Sequence, residues 1–170
     1  LFGSDNIVIL YVRDRELLSA EKVEVLREAV QRIEDLRCVS HTRSLFNVPH
    51  LQEKDEFISN APFLEQAPGD PQQISLWLEK ALESPFVARN LLSEDGQSLA
   101  INIYVRPAAD DPTFDQRVTQ GLEQIRADYA PLFEQMFLVG APQIRQSIGQ
   151  RILQDMQIIG LYSGLLLLLT

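Results

Sequence analysis

The residues of this chain with the chemistry to bind a metal or to attack a substrate are Cys38, His41 and His50, its single cysteine and its two histidines. His41 lies in a predicted strand and His50 in a predicted loop beside a proline, whereas histidines that share a metal normally stand on one face of one element. A lone cysteine can form neither an intrachain disulfide nor a cysteine metal cluster. We therefore expect no metal site, and we expect Cys38 to be a small buried apolar residue.

Two groups of acidic residues, Glu53, Asp55 and Glu56 and the pair Asp110 and Asp111, carry the oxygen ligands that calcium prefers. Neither group has the pattern of a calcium loop, in which oxygen ligands alternate around a central glycine and a glutamate closes the loop. Asp110 and Asp111 precede a helical pattern, where carboxylates offset the positive end of the helix dipole. The first group lies in a polar segment, and we expect that segment to be a solvated loop.

No catalytic motif stands in the sequence. Its eight glycines are dispersed, and none lies in a phosphate-binding GxGxxG or GxxxxGK[ST] order or in a GxSxG nucleophile turn. The segment RDREL (13–17) follows the first predicted strand, NIVILYV (6–12), and contains no glycine. Acyl-phosphate hydrolysis would need a glycine-rich anion-binding loop at that place. We therefore expect no catalytic residue, no cofactor and no enzyme activity.

The composition is acidic, with a formal net charge of −9 and 45% hydrophobic residues, which is enough apolar material for a core. Fifteen basic residues are scattered among twenty-four acidic ones, so the clustered Lys and Arg that nucleic-acid binding needs are missing. The same negative charge disfavours adsorption of the whole domain to anionic lipid headgroups.

The first third of the chain predicts a strand followed by a helix. NIVILYV (6–12) is a continuous apolar run rich in β-branched residues, which is typical of a central strand covered on both faces. Ser19 can cap a helix over 20–36. The apolar stripe of that helix recurs at helical spacing, at Val23, Leu26, Val30 and Ile33.

The middle of the chain has weaker patterns. CVSHTRSLFNV (38–48) predicts a second strand, which Pro49 ends. Residues 49–73 are rich in prolines and polar runs and predict a loop or surface excursion. ISLWLEKALES (74–84) predicts a short helix.

The second half predicts a hairpin, a helix and a strand. FVARNLL (86–92) and QSLAINIYV (97–105) flank an Asp-Gly turn, and the second of these segments alternates as a strand requires. Residues 110–130 carry an apolar stripe of helical period, and MFLVG (136–140) predicts a last strand. Without the excursion over 49–85, the order predicts an α+β domain of the ferredoxin-like split βαβ (βαββαβ) type, a four-stranded antiparallel sheet with two long helices on one face.

The C-terminal segment differs from the rest. Residues 141–160 predict a helix, and Ile158 to Leu169 are apolar apart from Ser163, a run shorter than the roughly 20 residues of a full membrane span. We expect residues 1–140 to form one domain, and residues 141–170 to be a linker helix and the truncated start of a transmembrane helix.

Several segments stand in an order that resembles the first extracytoplasmic loop of resistance–nodulation–division (RND) exporters. They are SPFVARNLLSEDGQSLAINIYV (84–105), LVGAPQ (138–143) and the helix that carries QD at 154–155, with FGSD (2–5) and FNVP (46–49) at matching positions. The chain is most similar to the hydrophobe/amphiphile branch, which includes the mycobacterial large membrane proteins and the hopanoid transporters.

This resemblance implies porter subdomains built from βαβ units and a role in proton-driven export of lipidic or amphiphilic molecules. It places the domain on the periplasmic side of a bacterial inner membrane, anchored by its C-terminal apolar segment. The implied partners are a second porter domain and the transmembrane helices of the same parent chain, with oligomer formation also possible. The proton-relay carboxylates of the family lie in transmembrane helices outside this sequence, so no catalytic residue is carried over.

The resemblance also directs attention to residues that face substrate or membrane. Gly140, Pro142 and Asp155 fall at positions that would couple the domain to the membrane. The candidate substrate contacts are apolar residues of the excursion, namely Leu51, Phe57, Ile58, Phe63, Leu64 and Trp77. The alternative for these six is that they form a small core of the excursion itself. The alternative for the whole chain is an extracytoplasmic sensing or protein-interaction domain without transport activity.

Overall fold

The computed structural model describes residues 7–54, 57–64, 70–106, 111, 113–141, 144 and 156. Its elements in chain order are β1 (Ile7–Arg13), α1 (Ala20–Glu34), β2 (Val39–Arg43), β3 (Pro49–Lys54), β4 (Phe57–Pro62), α2 (Pro71–Glu83), β5 (Ser98–Val105), α3 (Phe114–Tyr129) and β6 (Gln135–Gly140). A short 3-10 turn, Ala130–Leu132, joins α3 to β6.

Four strands form one antiparallel sheet in the order β2-β5-β1-β6. β1 is central and pairs along its length with β5 on one side and β6 on the other, so Leu10 lies opposite both Ile101 and Leu138. The predicted α+β class and the predicted four-stranded antiparallel sheet are confirmed.

The two long helices form where the apolar stripes predicted them. The Ser19 hydroxyl accepts the N–H of Lys22 and caps α1, and the predicted stripe of α1 is buried. The stripe of α3 is buried too, at Phe114, Val118, Leu122, Ile125 and Tyr129. The Arg32 guanidinium lies 2.9 Å from the Asp128 carboxylate and links the two helices at their solvent side.

The core lies between these helices and one face of the sheet. Alternate residues of the central strands are fully buried there, including Val8, Leu10 and Val12 of β1 and Ile101 and Ile103 of β5. Because side chains of a strand alternate between its two faces, the residues between them point to the other face of the sheet.

The second strand is shorter than predicted, because the chain turns after Arg43. The side-chain oxygen of Asn47 accepts the N–H of Ser44 at 2.8 Å, and the Asn47 amide donates to the Thr42 carbonyl at 3.0 Å. Such local side-chain bonds compete with a strand ladder and favour a turn. Pro49 therefore begins a new strand and does not end the old one.

The sequence predicted a loop or surface excursion over residues 49–73, and the described part of this range contains regular structure. It includes a two-stranded hairpin of β3 and β4, with Pro49 opposite Pro62 at its open end. α2 begins at Pro71, earlier than predicted, because an Asp70 oxygen accepts the N–H of Gln73 at 2.8 Å and a proline suits the first helical position.

The prediction of a strand over 86–92, as the first arm of a hairpin, is wrong. The backbone of this segment turns on itself, with the Val87 carbonyl accepting the N–H of Leu91 at 2.9 Å, and only an isolated bridge joins Leu92 to Leu99. The Asp-Gly turn is confirmed, since Gly96 has a φ of 68° that few other residues adopt.

Most of the C-terminal segment lies outside the described residues, including the predicted start of a transmembrane helix. Ala141, Ile144 and Met156 are helical. Among the residues that the structure describes, no helix combines the length and the apolar character that a membrane crossing requires.

A partly buried ion pair joins the end of β1 to the first turn of α1. An Asp14 oxygen accepts the N–H of Glu16 at 2.8 Å, and its other oxygen lies 3.2 Å from the Lys22 ammonium. The same ammonium donates to the Leu132 carbonyl and lies 5.0 Å from the centre of the Phe133 ring. Burial alone would raise the pKa of Asp14, but the Glu16 N–H and the Lys22 charge outweigh it and lower that pKa below its ordinary value.

We predict that Asp14→Asn lowers the free energy of unfolding at pH 7 by about 1–2 kcal/mol, because it removes a hydrogen-bonded charge from Lys22. The folded-state pKa of Asp14 is depressed. Its contribution is therefore complete above the unfolded-state pKa of about 3.9 and disappears as the pH falls through the lower folded-state value. Urea denaturation from pH 7 to pH 2 measures both effects. Asp35→Asn is the control, and an equal loss in the two variants would contradict this role.

Gly140 lies at the end of β6, opposite Val8 of β1. An added Cβ would meet the Ile7 carbonyl oxygen and the Val8 Cα, both at 2.8 Å, which is too close without movement of backbone. Gly121 of α3 offers a matched control, since a Cβ there would meet only the flexible Leu36 side chain at 3.6 Å.

We predict that Gly140→Ala lowers the free energy of unfolding by about 1–3 kcal/mol through overpacking. Gly121→Ala should raise it by up to about 1 kcal/mol, because alanine favours a helix interior. Urea denaturation of both variants measures the difference. A Gly140→Ala variant as stable as the native chain would show that the strands separate at low cost.

Candidate functional site

The sheet face opposite α1 and α3 has only exposed or partly buried positions in the part of the chain that the structure describes, and we call it the open face. Its positions, set by strand register, are Ile7, Ile9, Tyr11 and Arg13 of β1, His41 and Arg43 of β2, Ser98, Ala100, Asn102 and Tyr104 of β5, and Gln135, Phe137 and Val139 of β6. The sequence predicted a β1 covered on both faces, so the exposure of Ile9 corrects that expectation.

The centre and the β6 side of the open face are apolar. Ile9 is 37% exposed, Phe137 44% and Val139 49%. These residues are neighbours, because Ile9 pairs with Val139 and Tyr11 with Phe137 across the β1–β6 ladder. An exposed contiguous apolar patch of this kind typically marks a binding surface.

The aromatic side chains of this patch are held in place by the sheet. The Tyr11 and Phe137 rings stack with centroids 4.6 Å apart. The Tyr11 hydroxyl also shares a hydrogen bond of 2.8 Å with the Ser98 hydroxyl. The patch is therefore a preformed platform, and a ligand that binds it has little side-chain freedom to remove.

The charge of the open face is opposite in sign to that of the chain. None of its positions is Asp or Glu, although acids outnumber bases and the net charge is −9. Two of its positions are the exposed arginines Arg13 and Arg43. Within the described residues, neither guanidinium has a carboxylate at salt-bridge distance, although the Arg13 charge acts on the Asp95 carboxylate and helps to lower its pKa.

A cavity of about 200 Å³ adjoins the open face, since Tyr11 and Ala100 line it together with residues 89–93. A wider depression of about 510 Å³ is lined by Arg89, Glu94 and Pro85 among others. Arg89 lies between the two and has a φ of 61°, a left-handed backbone that costs a non-glycine residue free energy.

The predicted substrate contacts of the excursion lie elsewhere. Phe63 and Leu64 are buried, at 6% and 2% exposure, within the main core. Trp77 is partly buried, packs edge-on against the Phe63 ring, and donates its indole N–H to the Phe63 carbonyl at 3.1 Å. In the described structure these three side chains pack against one another and the core, and their contact with substrate stays a prediction.

The other predicted positions are only partly described. The backbones of Leu51, Phe57 and Ile58 belong to the β3–β4 hairpin, and their side chains lie outside what the structure describes. Pro142 and Asp155 lie outside the described residues. Gly140 ends β6, immediately before the C-terminal segment.

The residues with catalytic chemistry have ordinary surroundings. Burial raises the pKa of the Cys38 thiol, which keeps it protonated and a weak nucleophile. His41 stacks on the Tyr104 ring at a centroid distance of 4.3 Å. Asp111 accepts the hydroxyl and the N–H of Thr113 and pairs with Arg117, and these contacts lower its pKa below the ordinary value.

The side chains of His50, Glu53, Asp55, Glu56 and Asp110 are not among those described. In the described ranges there is no group of three or more His, Cys, Asp or Glu that could hold a metal ion.

The open face itself was missed by sequence reasoning. A signal was available in MFLVG, where Phe137 and Val139 alternate with Met136 and Leu138 on the last predicted strand. A strand that is apolar at both alternating sets of positions presents one apolar row to each face.

Comparison with known proteins assigns no family to this chain. No protein-family model matches the chain, and no curated protein is detectably similar to it.

Proposed function

We propose that the chain is the extracytoplasmic substrate-handling domain of a proton-driven RND-type exporter of lipids or other hydrophobic or amphiphilic molecules. The proposal rests on the residues that resemble that family, and the observation that carries it is the apolar open face beside a cavity. A passage for such molecules needs an apolar wall with a few polar groups, which is what Ile9, Phe137 and Val139 offer next to Asn102 and the two arginines.

We propose further that the domain is of the ferredoxin-like split βαβ type. β1–α1–β2 and β5–α3–β6 are two βαβ units, and the sheet order β2-β5-β1-β6 interleaves their strands. This interleaving supports the proposed type, and porter subdomains built from βαβ units are what the resemblance implies.

In this proposal residues 1–140 are the porter domain and residues 141–170 lead into a transmembrane helix. The partners are a second porter domain and the transmembrane helices of one parent chain on the periplasmic side of a bacterial inner membrane. Gly140, Pro142 and Asp155 lie along the connection to the membrane. The proton-carrying carboxylates belong to the membrane part, and this domain holds and passes the cargo.

A protein-interaction or sensing domain without transport is the second candidate. The stacked Tyr11 and Phe137 rings favour it, because rigid aromatic residues at the centre of an exposed patch are also typical of protein interfaces.

We predict that Phe137→Ser weakens binding of N-phenyl-1-naphthylamine, a neutral apolar fluorophore, by about tenfold. Covering half of a phenylalanine side chain is worth roughly 1–1.5 kcal/mol at about 25 cal/mol per Å². Leu132→Ser is the matched control, since Leu132 is 47% exposed but lies outside the open face. Fluorescence titration of the chain gives the affinities, and thermal unfolding verifies that both variants fold.

The same pair of variants separates the two candidates in cells that produce the full-length parent protein. The exporter proposal expects slower efflux of the fluorophore with Phe137→Ser and unchanged efflux with Leu132→Ser at equal protein abundance. Unchanged efflux in both variants, with loss of a co-purifying protein only in Phe137→Ser, would replace transport by the interaction role.

A further inference from the structure

The open face is amphipathic across the sheet as well as apolar at its centre. One row of paired residues runs from Arg43 on the edge strand β2, through Asn102 and Ile9, to Val139 on the opposite edge strand β6. A cation and an amide therefore stand at one end of this row, and two exposed aliphatic side chains stand at the other.

The row has the length of a single hydrocarbon chain. Three spacings between neighbouring strands, at about 4.8 Å each, place Val139 roughly 14 Å from Arg43. This distance suits a chain of about a dozen carbons laid across the strands. Phe137 precedes Val139 by two residues on β6, so it lies on the same face and widens the apolar end of the row.

Arg13 does not have the same setting. It pairs with Ser98 on one side and Gln135 on the other, so no exposed aliphatic residue shares its row. Two strand spacings and four residues along the sheet separate it from Arg43 by roughly 16 Å. This separation is about twice the screening length of about 8 Å at physiological ionic strength, so the two arginines act separately on a bound charge.

We propose that the open face binds single-chain anionic amphiphiles, with the anionic head at Arg43 and Asn102 and the chain across Ile9 and Val139. The inference rests on the proposed function and specifies the charge of its cargo and the direction in which the cargo lies. Charge complementarity selects this occupant. The chain carries a net charge of −9, yet the open face offers two arginines and no acid among its positions.

Salt screening weakens the repulsion that the net negative charge of the domain exerts on an anionic head. Acidic side chains more than a screening length from the head contribute little at physiological salt, whereas a guanidinium in contact forms charge-assisted hydrogen bonds to a carboxylate or sulfate. Arginine suits this role because its planar fork matches two oxygens of one head.

The test is isothermal titration calorimetry of the chain with three twelve-carbon amphiphiles that differ in the head: laurate, dodecyltrimethylammonium and dodecyl maltoside. Each is used below its micelle-forming concentration. The native chain should bind laurate about fivefold more tightly than dodecyltrimethylammonium, as an exposed ion pair allows. Arg43→Glu should reverse this preference, and Arg43→Gln should abolish it.

Arg13→Glu is the matched control, because it makes the same charge change on the same face. It should leave the preference for laurate within about twofold of the native value, given the separation from Arg43. Reversal by Arg13→Glu in place of Arg43→Glu would overturn the assigned position of the head. Circular dichroism and thermal unfolding show whether each variant folds.

The remaining outcomes separate this inference from the proposed function. Equal binding of all three amphiphiles by native and Arg43→Glu chains would overturn the head-group inference and leave an apolar site in place. If the chain binds none of the three amphiphiles and does not bind the neutral fluorophore, the proposed function is overturned as well. If the chain binds phosphatidylglycerol vesicles but not free laurate, the open face is a membrane-binding surface. If laurate binding is lost as the chain dimerises, the open face is the contact with a second copy.

Discussion

The pairing of β1 with both β5 and β6 is the constraint on which the rest of the structure depends. A strand in the middle of an antiparallel sheet presents alternate residues to each face, so Val8, Leu10 and Val12 can fill the core only if Ile9 and Tyr11 point away from it. Helices α1 and α3 cover the first face. Apolar residues on the second face lie outside that core, and an exposed apolar patch of this kind is typical of a binding surface.

Both ends of β1 are fixed, which makes the open face rigid. At one end the Asp14 carboxylate, the Lys22 ammonium and the Leu132 carbonyl tie the strand to α1 and to the turn before β6. At the other end the missing side chain of Gly140 lets β6 approach the backbone of Ile7 and Val8. A platform held at both ends would need little ordering to bind a ligand.

Regular periodicity determined how much of this could be predicted. The stripes of α1 and α3 and the alternation of β5 were strong enough for the four-stranded antiparallel sheet to follow from sequence. The turn at Asn47 and the cap at Asp70 depend on single side-chain bonds, and the β3–β4 hairpin has no apolar alternation, so these were missed. The open face was missed because a continuous apolar run such as NIVILYV has the same pattern whether one face of its strand or both are covered.

Paramagnetic broadening of NMR signals by spin-labelled laurate tests the proposed site most directly, because it reports both the face that is occupied and the direction of the bound chain. With the nitroxide at the chain end, we expect the Val139 methyl signals to broaden more strongly than the Asn102 side-chain amide. With the nitroxide beside the carboxylate, we expect the opposite order. Broadening concentrated around Phe63 and Trp77, or spread evenly over α1 and α3, would contradict the claim that the open face is the binding site.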